Sequence, residues 1–272
     1  MLLRFLSLTI LSLLYITDTQ AQQIEGTANF AYGIFTGTGR YKVRDRTLYA
    51  VRVPLFFNGK VANYETKEIG YRILAPVSFG ITNYNKFNDL PDLDINDLST
   101  ITLAPGLEVI VPLTTNWDIK PFAQGGFGWD TQSSANSLLW GVGSRTRAWF
   151  NDKKLIIGAE LLFAGNDPGG SASRTRFTRI GAGAEYKWNT NWQVFGQKIS
   201  WHPRLIQWVY INPVNIEQPR FEEKIKYATE IGLSFGINKP IDVLGFAFSQ
   251  GGIAYEKGDN YDAIKLYTTF PF

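Results

Sequence analysis

The feature that most constrains this chain is an alternation of apolar and polar residues with a period of two, over runs of about ten residues. In 227–237, one face carries Tyr227, Ile231, Leu233, Phe235 and Ile237, and the other carries small residues and Glu230. Segments 101–111 and 178–188 repeat the pattern. Alternation of this kind predicts β-strands that have one apolar face and one polar face.

The length of these segments favours a membrane barrel over a soluble sandwich, which also alternates. Soluble strands cluster near five or six residues, whereas about 9–11 residues cross a bilayer with tilt. Only a closed barrel lets strands satisfy their backbone hydrogen bonds in lipid. Large aromatic residues beside short turns or at the terminus are typical of an interfacial girdle. These are Trp117, Phe150, Trp188, Trp192 and Phe272.

We therefore predict an all-β fold, a transmembrane antiparallel up-and-down barrel with twelve strands; ten or fourteen strands are the alternatives. The strands are expected at 27–36, 47–57, 69–81, 99–112, 117–129, 138–150, 155–164, 176–188, 192–202, 226–237, 241–249 and 260–272. Short periplasmic turns are expected at 114–116, 151–154, 189–191 and 238–240. Longer external loops are expected at 82–98, 165–175, 203–225 and 250–259. A second strand at 204–212 would raise the count to thirteen.

Residues 1–21 have the composition of a secretory signal peptide. Arg4 supplies the positive start, an apolar stretch follows, and small residues precede Ala21 at the expected cleavage position. The apolar stretch is too short for a bilayer span, which needs about 20 residues. Cleavage would leave 22–272 as the barrel domain, in the cell outer membrane.

Composition and motifs exclude several function classes. The 27 basic and 24 acidic residues give a net charge of +3, too small to indicate a nucleic-acid partner, and the sequence contains no cysteine. Segment 89–97 begins like a calcium loop, but Asp97 stands where glycine is required and Leu103 where the bidentate glutamate belongs. We predict no metal site and no cofactor; a weak divalent-cation contact in that loop is the alternative.

Enzyme signatures are sparse. The one histidine, His202, lies two residues from Ser200 and so shares its strand face, but the surrounding signature of an outer-membrane hydrolase is missing. We predict no catalytic residues and a non-enzymatic barrel. A hydrolase is the least favoured alternative.

Strand parity predicts a lumen filled with charge. If the apolar faces point to lipid, five arginines and four glutamates point inward, and their charges nearly cancel. These are Arg52, Arg72, Arg145, Arg147, Arg179, Glu108, Glu160, Glu185 and Glu230. Arginine pairs with carboxylates in a planar bidentate geometry, so a paired network is expected. The alternative is that some of these charges lie unpaired at the hydrated rims.

The C-terminus carries a further signal. On a final strand at 260–272, one face would carry Ile264, Leu266, Phe270 and Phe272, ending in an aromatic residue. This arrangement resembles the sorting signal that outer-membrane proteins present to the barrel-assembly machinery.

A family resemblance rests on this terminus, the strand count and one hairpin. The hairpin reads LAPGLEVIVPL over 103–113 and NWDIKPF over 116–122. It resembles the β-domain of autotransporters, and more narrowly the solitary autotransporter-like barrels that lack a passenger, because only residues 22–26 precede the first predicted strand. We therefore predict an integral barrel with a structural or interaction role, in contact with outer-membrane lipid and lipopolysaccharide, with loops 82–98 and 203–225 as contact surfaces. A channel for small solutes is the alternative; the oligomeric state is left open.

Overall fold

The structure is a computed structural model that describes residues 37–43, 46–83, 98–131, 136–168, 175–194, 196–218, 221–243, 246–259 and 261–272. Within these ranges every regular element is a β-strand. Sixteen strand segments are present: β1 Thr38–Val43, β2 Arg46–Val53, β3 Phe56–Lys60, β4 Gly70–Leu74, β5 Val77–Asn83, β6 Leu98–Leu103, β7 Gly106–Thr114, β8 Trp117–Asp130, β9 Asn136–Phe150, β10 Leu155–Pro168, β11 Thr175–Tyr186, β12 Trp188–Val194, β13 Gln197–Gln218, β14 Phe221–Val243, β15 Phe246–Gly258 and β16 Asp262–Tyr267.

The sixteen segments form twelve barrel strands. Four barrel strands consist of two segments each, namely β2 with β3, β4 with β5, β6 with β7, and β11 with β12. Every barrel strand pairs antiparallel with its neighbours in sequence. The first and last strands, β1 and β16, also pair, with Tyr41 opposite Ala263, and this pairing closes the sheet. The predicted closed, twelve-stranded antiparallel barrel is confirmed.

Prolines explain three of the four interruptions. Pro54, Pro76 and Pro105 each lie in the break between two segments. A proline has no N–H to donate to the backbone hydrogen bonds between strands. The breaks lie side by side on three neighbouring barrel strands. Backbone bonds still cross this row, for example from Ala75 N to Leu55 O at 2.8 Å. The wall is therefore continuous through the breaks.

The two faces of the wall differ in polarity. Along β8, exposed or partly exposed residues alternate with buried ones. Large apolar side chains lie exposed on the outer face. Nine of them are 47–63% exposed: Phe57, Ile73, Leu107, Phe127, Leu161, Leu205, Ile231, Ile253 and Leu266. The inner face carries most of the buried charged residues, such as Glu108, Glu160 and Glu230. This polarity is the reverse of that of a soluble barrel, which buries its apolar face.

One end of the barrel holds the connections 61–69, 115–116 and 151–154 together with the end of β16. We call this end the turn end. The turn at 151–154 places Asn151, Asp152 and Lys153 at positive φ, a region that Asn and Asp tolerate better than most residues. The expected short turns near 114–116 and 151–154 agree with these connections.

Two other expected turns are wrong. Residues 189–191 lie inside β12, and 238–240 lie inside β14. Near the first of them the chain instead places Gly196 at a φ of +74°, which glycine adopts readily. The expected strand at 192–202 is therefore divided between β12 and β13. Asn189 and Asn191, a residue type common in turns, lie in strand β12. Between them, Thr190 Oγ1 donates to Ile199 O on β13 at 2.8 Å, which ties this stretch to the neighbouring strand.

Two expected external loops are also wrong. Residues 203–218 continue β13 and 221–225 begin β14, with Gln218 opposite Phe221. Residues 250–258 lie in β15. Gly252, which indicates a turn by composition, lies where an added Cβ would be 2.3 Å from Ser234 Cβ, so its role is close strand packing. The alternative strand at 204–212 exists as part of β13, and the count stays at twelve.

Several expectations fall outside the described residues. The signal peptide at 1–21, the strand at 27–36, the calcium-like segment 89–97 and most of the expected loop 82–98 are among them. The first described strand is β1 at Thr38–Val43, a stretch that the alternation did not predict as a strand.

Candidate functional site

The lumen wall brings five of the predicted charged residues into one continuous series, which we call the charge ladder. Its members, in spatial order, are Arg72, Glu108, Arg145, Glu160 and Arg179. Nη2 of Arg72 lies 2.7 Å from one Glu108 oxygen, and Nη1 of Arg145 lies 2.9 Å from the other. Nε of Arg145 donates to Glu160 at 3.0 Å, and Nη2 of Arg179 donates to the second Glu160 oxygen at 2.7 Å. Each carboxylate thus bridges two guanidinium groups.

The ladder spans six neighbouring barrel strands. Its members lie on β4, β7, β9, β10 and β11, and β8 contributes an aromatic ring in place of a charge. The Arg145 guanidinium lies 4.2 Å from the centre of the Phe122 ring on β8. An aromatic ring thus lies within the series of charges, where it is favourably placed for cation–π attraction to Arg145.

Glycines provide space for these long side chains. An added Cβ at Gly181 would lie 2.1 Å from the Trp208 ring, so that ring lies directly over the backbone of β11. The same ring receives the Arg179 guanidinium at 4.3 Å from its centre. The absent side chain at 181 therefore allows Trp208 and Arg179 to stack inside the lumen.

A second cluster joins the last four barrel strands. Arg204 lies 2.5 Å from Glu230, and Nζ of Lys265 donates both to Glu230 and, at 2.8 Å, to Glu256. Tyr261 donates its hydroxyl to the other Glu256 oxygen. Of these residues, sequence analysis singled out Glu230 alone. Arg204 and Glu256 fell in expected loops, and extending the parity of the strands through 203–225 and 250–259 would have found both.

Three other predicted lumen residues are not members of the ladder. Arg147 lies 3.8 Å from Asp118 and stacks on Trp149 at 4.5 Å. Asp118 also accepts a hydrogen bond from Tyr64 at 2.7 Å; burial and this bond raise the pKa of Tyr64 to about 12, so it stays a donor at neutral pH. The backbone N–H of Arg52 donates to Thr38 Oγ1 at 2.9 Å.

The ninth predicted residue, Glu185, belongs to a polar group near the turn end. Its two carboxylate oxygens accept from Nε2 of Gln250 at 3.2 and 3.3 Å. Nδ1 of His202 lies 3.4 Å from one of them, and Nε2 of His202 lies 2.8 Å from Ser200 Oγ. The structure therefore places His202 in the lumen wall.

The C-terminal segment, residues 268–272, corrects one sequence expectation. The strand ends at Tyr267, so the expected shared face of Ile264, Leu266, Phe270 and Phe272 is wrong. Ile264 and Leu266 are exposed on the outer wall, whereas Phe270 and Phe272 are 5% and 3% exposed. Beyond β16 the chain turns into the lumen, and this also removes Phe272 from the predicted aromatic girdle. Trp117, Phe150, Trp188 and Trp192 are exposed.

Contacts with β8 and β13 hold the C-terminal segment inside the barrel. The Phe272 ring lies 5.5 Å from the Trp208 ring and 5.1 Å from the Phe270 ring. Nζ of Lys120 donates to Phe272 O at 3.4 Å, and Nη1 of Arg204 donates to Thr269 O at 3.3 Å. The segment therefore occupies the lumen beside the second cluster.

The chain shows no match to the known proteins with which it was compared. No protein-family model matches the chain, and no curated protein matches it. Among the described residues, no helix is long and apolar enough to span a membrane. In the same part of the chain, no group of three or more His, Asp or Glu side chains is arranged to hold a metal ion.

Proposed function

We propose that this chain is an integral outer-membrane barrel with a closed lumen and a structural or interaction role. The burial of its lumen charges carries the proposal: the Glu108 side chain is fully buried, and Arg204 and Glu160 are nearly so. A wide water-filled pore would leave these side chains hydrated. Paired charges of both signs also differ from the one-sign ring that selects ions in a channel.

The apolar outer face supports a bilayer as the surroundings. An outward band of large aliphatic and aromatic side chains, combined with a polar interior, is the pattern of outer-membrane barrels. Exposed Trp117, Trp188 and Trp192 lie near the turn end, where an aromatic girdle would contact lipid headgroups. We propose outer-membrane lipid and lipopolysaccharide as the partners of this surface, and export by removal of residues 1–21.

Planar-bilayer recording of the purified, refolded protein tests the closed lumen. Folding is first verified on gels, since a closed barrel resists SDS at room temperature and shifts in mobility after boiling. Because ion pairs and the C-terminal segment fill the lumen, we expect heat-modifiable protein that gives no stable conductance steps. Stable, large steps from the wild-type protein would support the channel for small solutes instead.

Assembly in cells is expected to depend on the end of the chain. We propose that deleting Phe272, or replacing Phe270 and Phe272 by serine, lowers the amount of barrel in the outer membrane without lowering export to the periplasm. Fractionation and immunoblotting measure both amounts. The same variants refolded into detergent separate two reasons: normal refolding indicates recognition by the assembly machinery, and impaired refolding indicates lost lumen packing. Wild-type outer-membrane levels would contradict both.

A further inference from the structure

Three side chains near the turn end share the connectivity of a nucleophile–base–acid triad. Ser200 and His202 lie two residues apart on β13, so both side chains point into the lumen. Glu185 lies on the adjacent strand β11, where its register partner is Arg204, two residues beyond His202. Two neighbouring strands therefore supply the whole group without any contribution from a loop.

The contacts have the polarity that general-base catalysis requires. Nε2 of His202 faces Ser200 Oγ at 2.8 Å, while Nδ1 faces the Glu185 carboxylate at 3.4 Å. A carboxylate on Nδ1 favours the tautomer that leaves Nε2 free to accept the serine proton. The longer of the two distances is within the range seen before a substrate binds. Glu185 is itself fixed by the amide of Gln250.

A glycine on the neighbouring strand β14 lets the serine–histidine pair pack against the backbone. Gly236 on β14 is the register partner of Ser200, and an added Cβ there would lie 2.8 Å from Ser200 Oγ and 2.6 Å from Nε2 of His202. Any side chain at 236 would therefore collide with the serine–histidine pair, so its geometry requires glycine there. Ser200 lies three residues after Gln197, the start of β13, so it is about 10 Å from the turn-end edge of the wall.

We propose that Ser200 is a nucleophile activated by His202, with Glu185 as a positioning residue, and that the site hydrolyses small carboxylic esters. Ser200 Oγ would attack the ester carbonyl carbon while its proton passes to Nε2 of His202. The carbon–oxygen bond to the alcohol then breaks, and the departing alcohol takes that proton, which leaves an acyl-serine. Water adds next while one of its protons passes to His202. The bond between the acyl carbon and Ser200 Oγ then breaks, the proton on His202 returns to Oγ, and the carboxylic acid leaves.

Covalent labelling tests the nucleophile directly. Refolded, heat-modifiable protein is treated with an alkyl fluorophosphonate, and the modified residue is identified by peptide mass spectrometry; release of p-nitrophenol from p-nitrophenyl butyrate is followed in parallel. We expect the label on Ser200 and a loss of both signals in Ser200→Ala. Without the base, His202→Asn should lower the labelling rate by about 100-fold or more. Ser137→Ala removes another buried lumen hydroxyl and should react like the wild type.

Variants of Glu185 separate positioning from a purely structural role. Glu185→Gln should lower the labelling rate while leaving the gel shift intact, and Glu185→Asp should restore part of that rate, because the carboxylate is retained. Folded protein that takes no label on Ser200, or that labels equally fast in His202→Asn, would overturn the proposal. These readouts do not depend on conductance, so the closed-lumen function stands or fails separately.

Discussion

Replacing Glu108 by alanine is expected to lower the free energy of unfolding by about 3–5 kcal/mol, the usual effect of removing one partner from a buried ion pair. Glu108 is fully buried and faces two guanidinium groups, those of Arg72 at 2.7 Å and Arg145 at 2.9 Å. Without Glu108, two positive charges face each other in the lumen wall, and Arg145 retains only its ion pair with Glu160. Because the Arg72 side chain is one-quarter exposed, water relieves part of the loss. Reversible urea unfolding in detergent or lipid vesicles measures the change.

A surface pair provides the matched control. Lys60 and Glu68 lie 3.6 Å apart with more than half of each side chain exposed. Since exposed pairs contribute about 0–1 kcal/mol, Glu68→Ala should change the unfolding free energy only slightly. Glu108→Gln keeps the shape and one acceptor, so its loss should lie between the two. If Glu108→Ala unfolds like the wild type, the ladder does not stabilise the barrel.

The ladder shows what the sequence can predict. Strand parity depends only on the period of two, so it identified Arg72, Glu108 and Arg145 as inward-facing without knowledge of their partners. The partners are set by register, which depends on the neighbouring strands and on the bulges between them. The breaks at Pro54 and Pro76, for example, shift segment boundaries without changing the strand count. The sequence therefore predicts the fold class and which side chains face the lumen, but not which of these side chains form ion pairs with each other.

The second cluster shows where local signals fail. Asparagine, proline and glycine favour turns in isolation, and they placed loops at 203–225 and 250–259. In the barrel, pairing on both sides overrides that preference, so Pro203 and Gly252 lie within strands. Local sequence likewise does not predict the inward turn of the chain after Tyr267. Lumen contacts that are distant in sequence, with Lys120 and Trp208, determine where Phe272 lies.

Deleting residues 268–272 is expected to give the barrel a stable ion conductance that the wild-type protein lacks. The C-terminal segment contributes two buried rings to the lumen, and Phe272 lies over Gly158 so closely that an added Cβ would be 2.6 Å from the Phe272 Cβ. Removing it empties the space between Trp208 and the wall of β10, and Lys120 loses the carbonyl to which it donates. Water can enter the emptied space where polar groups line it. Single-channel steps in planar bilayers, absent from the wild type, measure the opening.

The control must alter the same end of the chain without emptying the lumen. Leu266→Ala truncates a large apolar side chain on the outer wall, 59% exposed, only two residues before the deletion begins. It should remain as silent as the wild type. A smaller change, Phe272→Ala, removes one ring and keeps the main chain of the segment, so conductance should be intermediate or brief. If the truncated barrel is heat-modifiable and yet silent, the charge ladder and the second cluster close the lumen without the C-terminal segment.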